Sequence, residues 1–213
     1  MRWKFILGLL TTCAVLMSMS YTMLIPFLPM YLIQDLGVVK ADVDMWSGAI
    51  FAITFLVSGI MAPIWGALAD KKSRKLMALR AGFCLAITYF LGGLVTNPWE
   101  LLGVRFIQGL SAGLWPALLA IISVESPKLK LGFCMGVMQG GMTAGGVLGP
   151  LFGGLLADQF GMRMAFFIAA AALFLITLAL LFFVKEEPRK PDPNAKPVKI
   201  WDFSLCKIPA VKR

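Results

Sequence analysis

Six long apolar runs, separated by short polar breaks, constrain this chain more than any other feature. The runs cover residues 5–32, 45–69, 76–96, 99–123, 131–157 and 163–184. A helix that crosses a bilayer needs about 20 apolar residues, and the bilayer interior has no water to pair an open backbone. The first run is too long for the core of a signal peptide. The pattern therefore predicts an all-α membrane protein, with a bundle of six transmembrane helices over residues 1–185.

Charge is scarce, and its placement argues against several classes of function. Only 15% of the residues are charged, against roughly 25% in soluble domains. The net charge of +9 comes from Lys and Arg in the polar breaks and the tail, so nucleic-acid binding is not expected. The chain has no histidine, and no pair among its four cysteines has metal-ligand spacing. We therefore expect no enzyme activity, no metal and no cofactor.

The basic residues of the short loops predict the orientation in the membrane. Lysine and arginine are enriched in cytoplasmic loops. The loop after the second run has Lys71, Lys72, Arg74 and Lys75, whereas the loop after the first run has only Lys40. The same asymmetry recurs along the chain and places both termini in the cytoplasm. Residues 186–213 are charged and rich in proline, which predicts a flexible cytoplasmic linker.

Two segments of the chain resemble each other. Residues 63–73 and 150–161 both contain a proline followed by the pattern Gly-x-Leu-Ala-Asp, with one additional glycine in the second copy. The second and fifth helices start from opposite sides of the membrane, so the two copies would face opposite sides. This predicts a 3+3 inverted repeat, the alternative being a chance match in a biased composition.

The first motif lies at the end of the second run. Gly66 allows close approach of another helix. Asp70 is followed by a cluster of cations and has Arg74 within reach, or it faces the positive end of a neighbouring helix. Such contacts favour one conformation, so Gly66, Asp70 and Arg74 are interpreted as a conformational latch. The alternative is an ordinary basic loop with an incidental aspartate.

The second motif contains the one charge well inside an apolar run. Arg105 lies in the fourth run, with Gln108 and Trp115 on the same helical face. A buried charge in a membrane is costly and indicates a functional site. The alternative is that the side chain extends to the membrane surface.

The third motif is rich in glycine and lies in the fifth run. Gly145, Gly149 and Gly153 are four residues apart, Pro150 lies between them, and Gly154 follows. Small residues at this spacing predict a smooth face for tight helix packing, with a bend at the proline.

Together these motifs resemble the N-terminal half of the drug/proton antiporters of the major facilitator superfamily, in the branch with 12 helices. The likeness covers about residues 20–185 and includes 25–31, 45–48 and 53–56. It departs from the family at Ser73, where a second glycine is usual. The resemblance implies that Arg105 takes part in proton transfer. It also implies that Gly145, Gly149, Pro150, Gly153 and Gly154 form the antiporter motif.

Family topology also implies a substrate cavity beside the first, fourth and fifth helices. Methionines there would suit a site that accepts varied substrates, although they could equally pack against lipid or other helices. The expected lining residues are Tyr21, Phe27, Tyr31, Gln108, Trp115, Met138, Gln139 and Met142.

No carboxylate lies in the interior of an apolar run, which limits the choice of proton carrier. Asp35 and Glu100 are the nearest acidic residues on the predicted outer side. A proton-coupled transporter needs a titratable group whose access changes, so the predicted relay consists of Arg105 and Asp35, or it involves a second half.

The leading interpretation is the N-terminal half of a transporter in a bacterial inner membrane that exports drugs or other amphipathic molecules by proton antiport. Its expected partners are a small-molecule substrate, protons, the lipid bilayer, and a missing C-terminal six-helix half or a second copy of the chain. The alternatives are a proton-coupled uptake symporter of the same superfamily and a six-helix membrane scaffold that does not transport.

Overall fold

The computed structural model describes residues 2–71 and 73–184, and of residues 2, 67 and 69–71 it gives the backbone only. The predicted tail, residues 186–213, lies outside this part. The described chain is helical and contains no strand. Its helices are α1 (Arg2–Met23), α2 (Leu28–Gln34), α3 (Val43–Lys71), α4 (Arg74–Leu94), α5 (Pro98–Leu110), α6 (Leu114–Glu125), α7 (Leu131–Phe160) and α8 (Met162–Phe183).

These helices form six spans that are long and apolar enough to cross a membrane. Span one begins with α1 and continues into α2, and span four consists of α5 and α6. Spans two, three, five and six are α3, α4, α7 and α8. The predicted fold class, an all-α membrane protein with six transmembrane helices, is confirmed.

Span one is not the single helix that the sequence predicted. The helix stops at Met23 and resumes at Leu28. Pro26 and Pro29 lack the N–H group that would continue the hydrogen bonds of an α-helix. The intervening turn has two shorter-range bonds, from Ile25 N to Thr22 O and from Phe27 N to Leu24 O, both at 3.2 Å, and one bond of α-helical spacing from Leu28 N to Leu24 O at 2.8 Å.

Span four is also interrupted, at residues 111–113, where one continuous helix was expected. Gly113 has φ +118°, a left-handed conformation that glycine adopts without the steric cost of a side chain. Pro116, in the first turn of α6, has no N–H to donate to Ala112 O, four residues earlier. The break therefore lies where the sequence cannot complete the helical hydrogen bonds.

The pairing of the spans follows the predicted repeat. Span one packs chiefly on span five, span two on span four, and span three on span six. If span one is exchanged with span four, span two with span five and span three with span six, the same three pairs result. That is the arrangement of two inverted three-helix copies.

The glycines of α7 allow its contact with α1. A Cβ atom on Gly145 would meet Val15 O, and one on Gly153 would lie 2.8 Å from Met23 O. At Gly149 a Cβ would collide with the Thr22 side chain and lie 2.7 Å from Met19 O. Backbone therefore contacts backbone along this face, as the glycine spacing predicted.

Replacing Gly149 by alanine should lower the stability of the bundle, because the new methyl group must displace α1. Overpacking of this kind costs about 1–3 kcal/mol. Gly136→Ala on the same helix is the matched control, because no atom of the described chain lies within 4 Å of a Cβ there. Thermal unfolding in detergent should show a lower midpoint for Gly149→Ala only. Equal midpoints for both variants would contradict the close contact.

Candidate functional site

Arg105 lies inside the bundle, with 7% of its surface exposed. Its helix, α5, begins at Pro98, and the side chain of Asn97 accepts a hydrogen bond from Glu100 N at 2.9 Å. Arg105 Nη1 donates to Gln108 Oε1 at 2.9 Å, a contact that the three-residue spacing allows because both side chains lie on one helical face. Thr54 Oγ1 on α3 lies 3.4 Å from the backbone carbonyl of Arg105, but its nearer acceptor is Ile50 O at 3.0 Å. At this position α5 packs against span two.

Two tyrosines complete the polar cluster. The Arg105 guanidinium carbon lies 6.0 Å from the centre of the Tyr89 ring, within the range of a cation–π contact. Tyr89 Oη donates to Ser20 O at 2.6 Å, which joins span three to span one. Tyr21 lies close enough to Arg105 and Gln108 to interact with both.

Tyr89 was missed by the sequence analysis, although a signal was present. The chain has three tyrosines, Tyr21, Tyr31 and Tyr89, and all of them lie in or beside apolar runs. A buried tyrosine hydroxyl usually has a hydrogen-bond partner. Each of these residues was therefore a marker for a polar contact within the bundle.

The cluster has buried donors without well-formed hydrogen bonds. Arg105 Nη2 and Gln108 Nε2 form none within the described residues, although the hydroxyl groups of Tyr21 and Tyr89 lie close enough to interact with Gln108. An unpaired buried donor costs about 1–3 kcal/mol, and more when it is charged. The site is therefore equipped to donate hydrogen bonds to an acceptor atom that enters it.

A cavity of about 120 Å³ adjoins this cluster. Its volume is smaller than ligand pockets of about 300–1,000 Å³. It can hold one chemical group of a larger molecule. The cavity is lined by Met17, Tyr21, Ala81, Leu85, Gln108, Ser111, Ala112, Gly113, Leu114, Trp115 and Pro116.

Three of the expected cavity residues, Tyr21, Gln108 and Trp115, line this cavity. Tyr31 is buried elsewhere, where its hydroxyl donates to Gly92 O at 3.0 Å. Phe27 lies against Gly154 of α7. The role of Tyr31 and Phe27 in substrate contact stays a prediction.

The three residues predicted on α7 differ in their surroundings. Met138 is completely buried and Met142 is partly buried against the core, whereas Gln139 is exposed. None of them lines the small cavity. The packing interpretation fits Met138, and a role for these residues in substrate contact stays a prediction.

Asp35 lies at the end of α2 and forms an ion pair with Arg163, at the start of α8, with 3.3 Å between Nε and Oδ1. Within the described residues, no hydrogen bond or ion pair joins Asp35 to Arg105. Glu100 Oε2 accepts hydrogen bonds from the backbone and hydroxyl of Thr96. The two members of the predicted relay therefore make no direct contact within the described residues, and their joint role stays a prediction.

The latch segment is only partly described. Gly66 is exposed, and no atom of the described chain lies within 4 Å of a Cβ there. The Asp70 side chain lies outside the described part, so its predicted pairing with Arg74 stays untested. Ser73, at the position of the usual glycine, has φ −61° and caps α4 by accepting a hydrogen bond from Leu76 N at 3.1 Å. No left-handed residue is needed at this position.

Six apolar helices, paired as an inverted repeat around a buried polar cluster, define a multi-pass membrane protein. The chain belongs to the Major Facilitator Superfamily, whose family profile matches residues 10–209.

Individual relatives agree with this family. The multidrug resistance protein MdtG of Citrobacter koseri is 42% identical over 186 residues, which cover 87% of this chain and 46% of the relative. MdtG of Yersinia enterocolitica is 40% identical over 187 residues, covering 87% and 45%. The chain thus spans less than half the length of these relatives.

Solved transporters share the fold at low sequence identity. A bacterial homologue of the human lysosomal transporter Spinster superposes with a TM-score of 0.73 at 23% identity, over 92% of this chain and 46% of that one. The POT family transporter PepTSo superposes with a TM-score of 0.74 at 14% identity, over 88% and 40%.

The Arg105–Gln108 pair predicts an asymmetry between two substitutions. Gln108→Leu leaves a buried guanidinium without its acceptor and should cost about 3 kcal/mol. Arg105→Met removes the charge together with its desolvation penalty, so its net cost should be smaller. Thermal unfolding in detergent should therefore give a lower midpoint for Gln108→Leu than for Arg105→Met. The reverse order would show that Arg105 is not held in an apolar interior.

Proposed function

We propose that this chain forms one six-helix half of a secondary transporter that exports drugs or other amphipathic small molecules by proton antiport. The observation that carries the proposal is the buried Arg105–Gln108 pair, of which Gln108 lines a small cavity. Buried polar groups are costly in a membrane and usually mark a transport pathway. The similarity to proteins named for multidrug resistance supports drugs as the substrate class and export as the direction.

The electrostatics of the site favour one type of substrate. Arg105 brings a positive charge, and the described carboxylates lie in loops or near helix ends. Removing a cation from water beside a guanidinium is unfavourable without a carboxylate to pair with it. We therefore expect neutral or anionic amphipathic molecules with hydrogen-bond acceptors.

A second six-helix unit is part of the proposal, because the chain spans 46% of its MdtG relative. The small cavity lies between helices of one unit, and a drug-sized site would need a facing unit to enclose it. This unit is either a C-terminal half or a second copy of this chain. The protein would lie in a bacterial inner membrane with both termini in the cytoplasm, as the loop charges predict.

Transport should be measured in energised everted vesicles, with the amount of inserted protein checked by immunoblot. We expect gradient-dependent accumulation of the anionic dye fluorescein and less accumulation of the cationic dye ethidium. The chain is tested alone and together with the C-terminal half of an MdtG relative. Accumulation by the chain alone supports a self-sufficient dimer, and accumulation only with the added half supports a two-part transporter. Absence of transport in both cases, at equal membrane levels, contradicts export and favours the scaffold.

Asp35→Asn should impair proton movement driven by the substrate, because Asp35 is a titratable group at the predicted outer end of span one. A pH-sensitive dye in the vesicles gives the readout. Arg163→Gln is the matched control, because it breaks the same ion pair but keeps the titratable carboxylate. Unchanged proton movement in Asp35→Asn, or an equal loss in both variants, would count against this role.

A further inference from the structure

The break in span four leaves backbone carbonyls that need partners. In a continuous helix, Leu110 O would accept from Leu114 N, and Ala112 O from residue 116. Pro116 has no N–H, and Gly113 turns the chain with φ +118°. Neither carbonyl can therefore be paired within span four, although unpaired carbonyls in a membrane interior are costly.

Two side chains from other spans pair these carbonyls. Trp65 Nε1, on α3, donates to Leu110 O at 2.8 Å. Arg80 Nη2, on α4, donates to Ala112 O at 2.9 Å. Both residues also approach Gly113, where a Cβ would lie 3.6 Å from Arg80 Nη2 and 3.8 Å from Trp65 Cβ. The two sides of the break are thus held from spans two and three.

Trp65 and Arg80 also hold each other. The guanidinium carbon of Arg80 lies 3.3 Å from the centre of the Trp65 ring, which is a stacked cation–π arrangement. An arginine suits this place because its planar group stacks and donates at the same time, which lysine cannot do. Each side chain therefore limits the freedom of the other at the break.

We propose that Trp65 and Arg80 form a clamp that keeps span four broken and so positions the cavity. Residues 111–113, the break itself, line the cavity between Gln108 and Trp115. If the helix were continuous, these residues would be helical and the cavity wall would change. The two clamp residues are positioning residues for the transport site. This role rests on the proposed function, because it assumes that the cavity takes part in transport.

The clamp also links the cavity to the latch segment. Trp65 directly precedes Gly66, and Arg80 lies in the second turn of α4, after the loop that follows Asp70. A displacement of the cytoplasmic end of α3 relative to α4 would separate the ring from the guanidinium. The break would then lose one or both of its external donors.

The experiment separates a positioning role from simple stabilisation through one additional substitution. Arg80→Ala leaves Ala112 O without a partner. Adding Pro116→Ala supplies the N–H that Ala112 O accepts in a continuous helix. The double variant should therefore regain stability while losing the break. Trp65→Phe keeps a ring for stacking but removes the indole donor, and Trp99→Phe is its matched control at an exposed position.

The conformation of span four can be measured with spin labels at residues 107 and 124, which are exposed in the isolated unit. Cys13, Cys84, Cys134 and Cys206 are replaced first. In a continuous helix these sites lie about 26 Å apart along the axis. The Gly113→Ala/Pro116→Ala variant provides the reference distance for a continuous helix in span four. Melting midpoint and fluorescein accumulation are measured on the same variants, with the C-terminal half of the MdtG relative present for transport.

The proposal expects the distribution of distances between the two labels to broaden in Arg80→Ala and in Trp65→Phe. It expects no broadening in Trp99→Phe. In Arg80→Ala/Pro116→Ala it expects the distance between the two labels to match that of the continuous helix. The melting midpoint of this double variant should recover, while its accumulation of fluorescein should remain lost. Unchanged distances in both Arg80→Ala and Trp65→Phe overturn the clamp. Recovery of accumulation with a continuous helix overturns its positioning role. If the unaltered chain does not accumulate fluorescein, the proposed function fails, and the distances alone decide whether the clamp exists.

Discussion

The pairing of backbone hydrogen-bonding groups is the constraint on which this fold depends. Inside a bilayer no water replaces a missing partner, so each span must be helical or must receive donors from elsewhere. Spans one and four depart from the helix, and in each the departure coincides with prolines. At the break in span four the donors come from Trp65 and Arg80. The interruption in span one is bridged by local backbone hydrogen bonds, whereas the break in span four depends on donors from neighbouring spans.

The sequence predicted the features that depend on apolar length and on residue size. The six apolar runs correspond to six spans, because a helix of about 20 apolar residues matches the thickness of the hydrocarbon core of a bilayer. The inverted repeat was visible in two similar segments. The glycine spacing on α7 identified the face that contacts α1, because only glycine permits backbone contact at every turn. Arg105 stood out because a charge within an apolar run is expensive.

The sequence could not predict which side of each span faces which neighbour. A helix that is apolar all around has no polar stripe to mark its exposed face. Tyr31 and Phe27 were predicted to face a cavity from family topology alone, and the contacts of Tyr31 with Gly92 O and of Phe27 with Gly154 had no signal in the sequence. The break at Gly113 was missed because glycine and proline are each more frequent in transmembrane helices than in soluble ones, so neither marks a break by itself. Only the tertiary donors make the interrupted form stable.

The contact between α1 and α7 has a mechanical consequence. Its glycines recur every four residues, at 141, 145, 149 and 153. A shift of α1 along α7 by one such interval, about 6 Å, would place the same backbone against the next glycine. Rotation of α7 by about one residue would instead bring Pro150 in one direction, or Phe152 in the other, into the contact. A translation by one interval therefore keeps glycine in the contact, whereas a rotation replaces it with a larger residue.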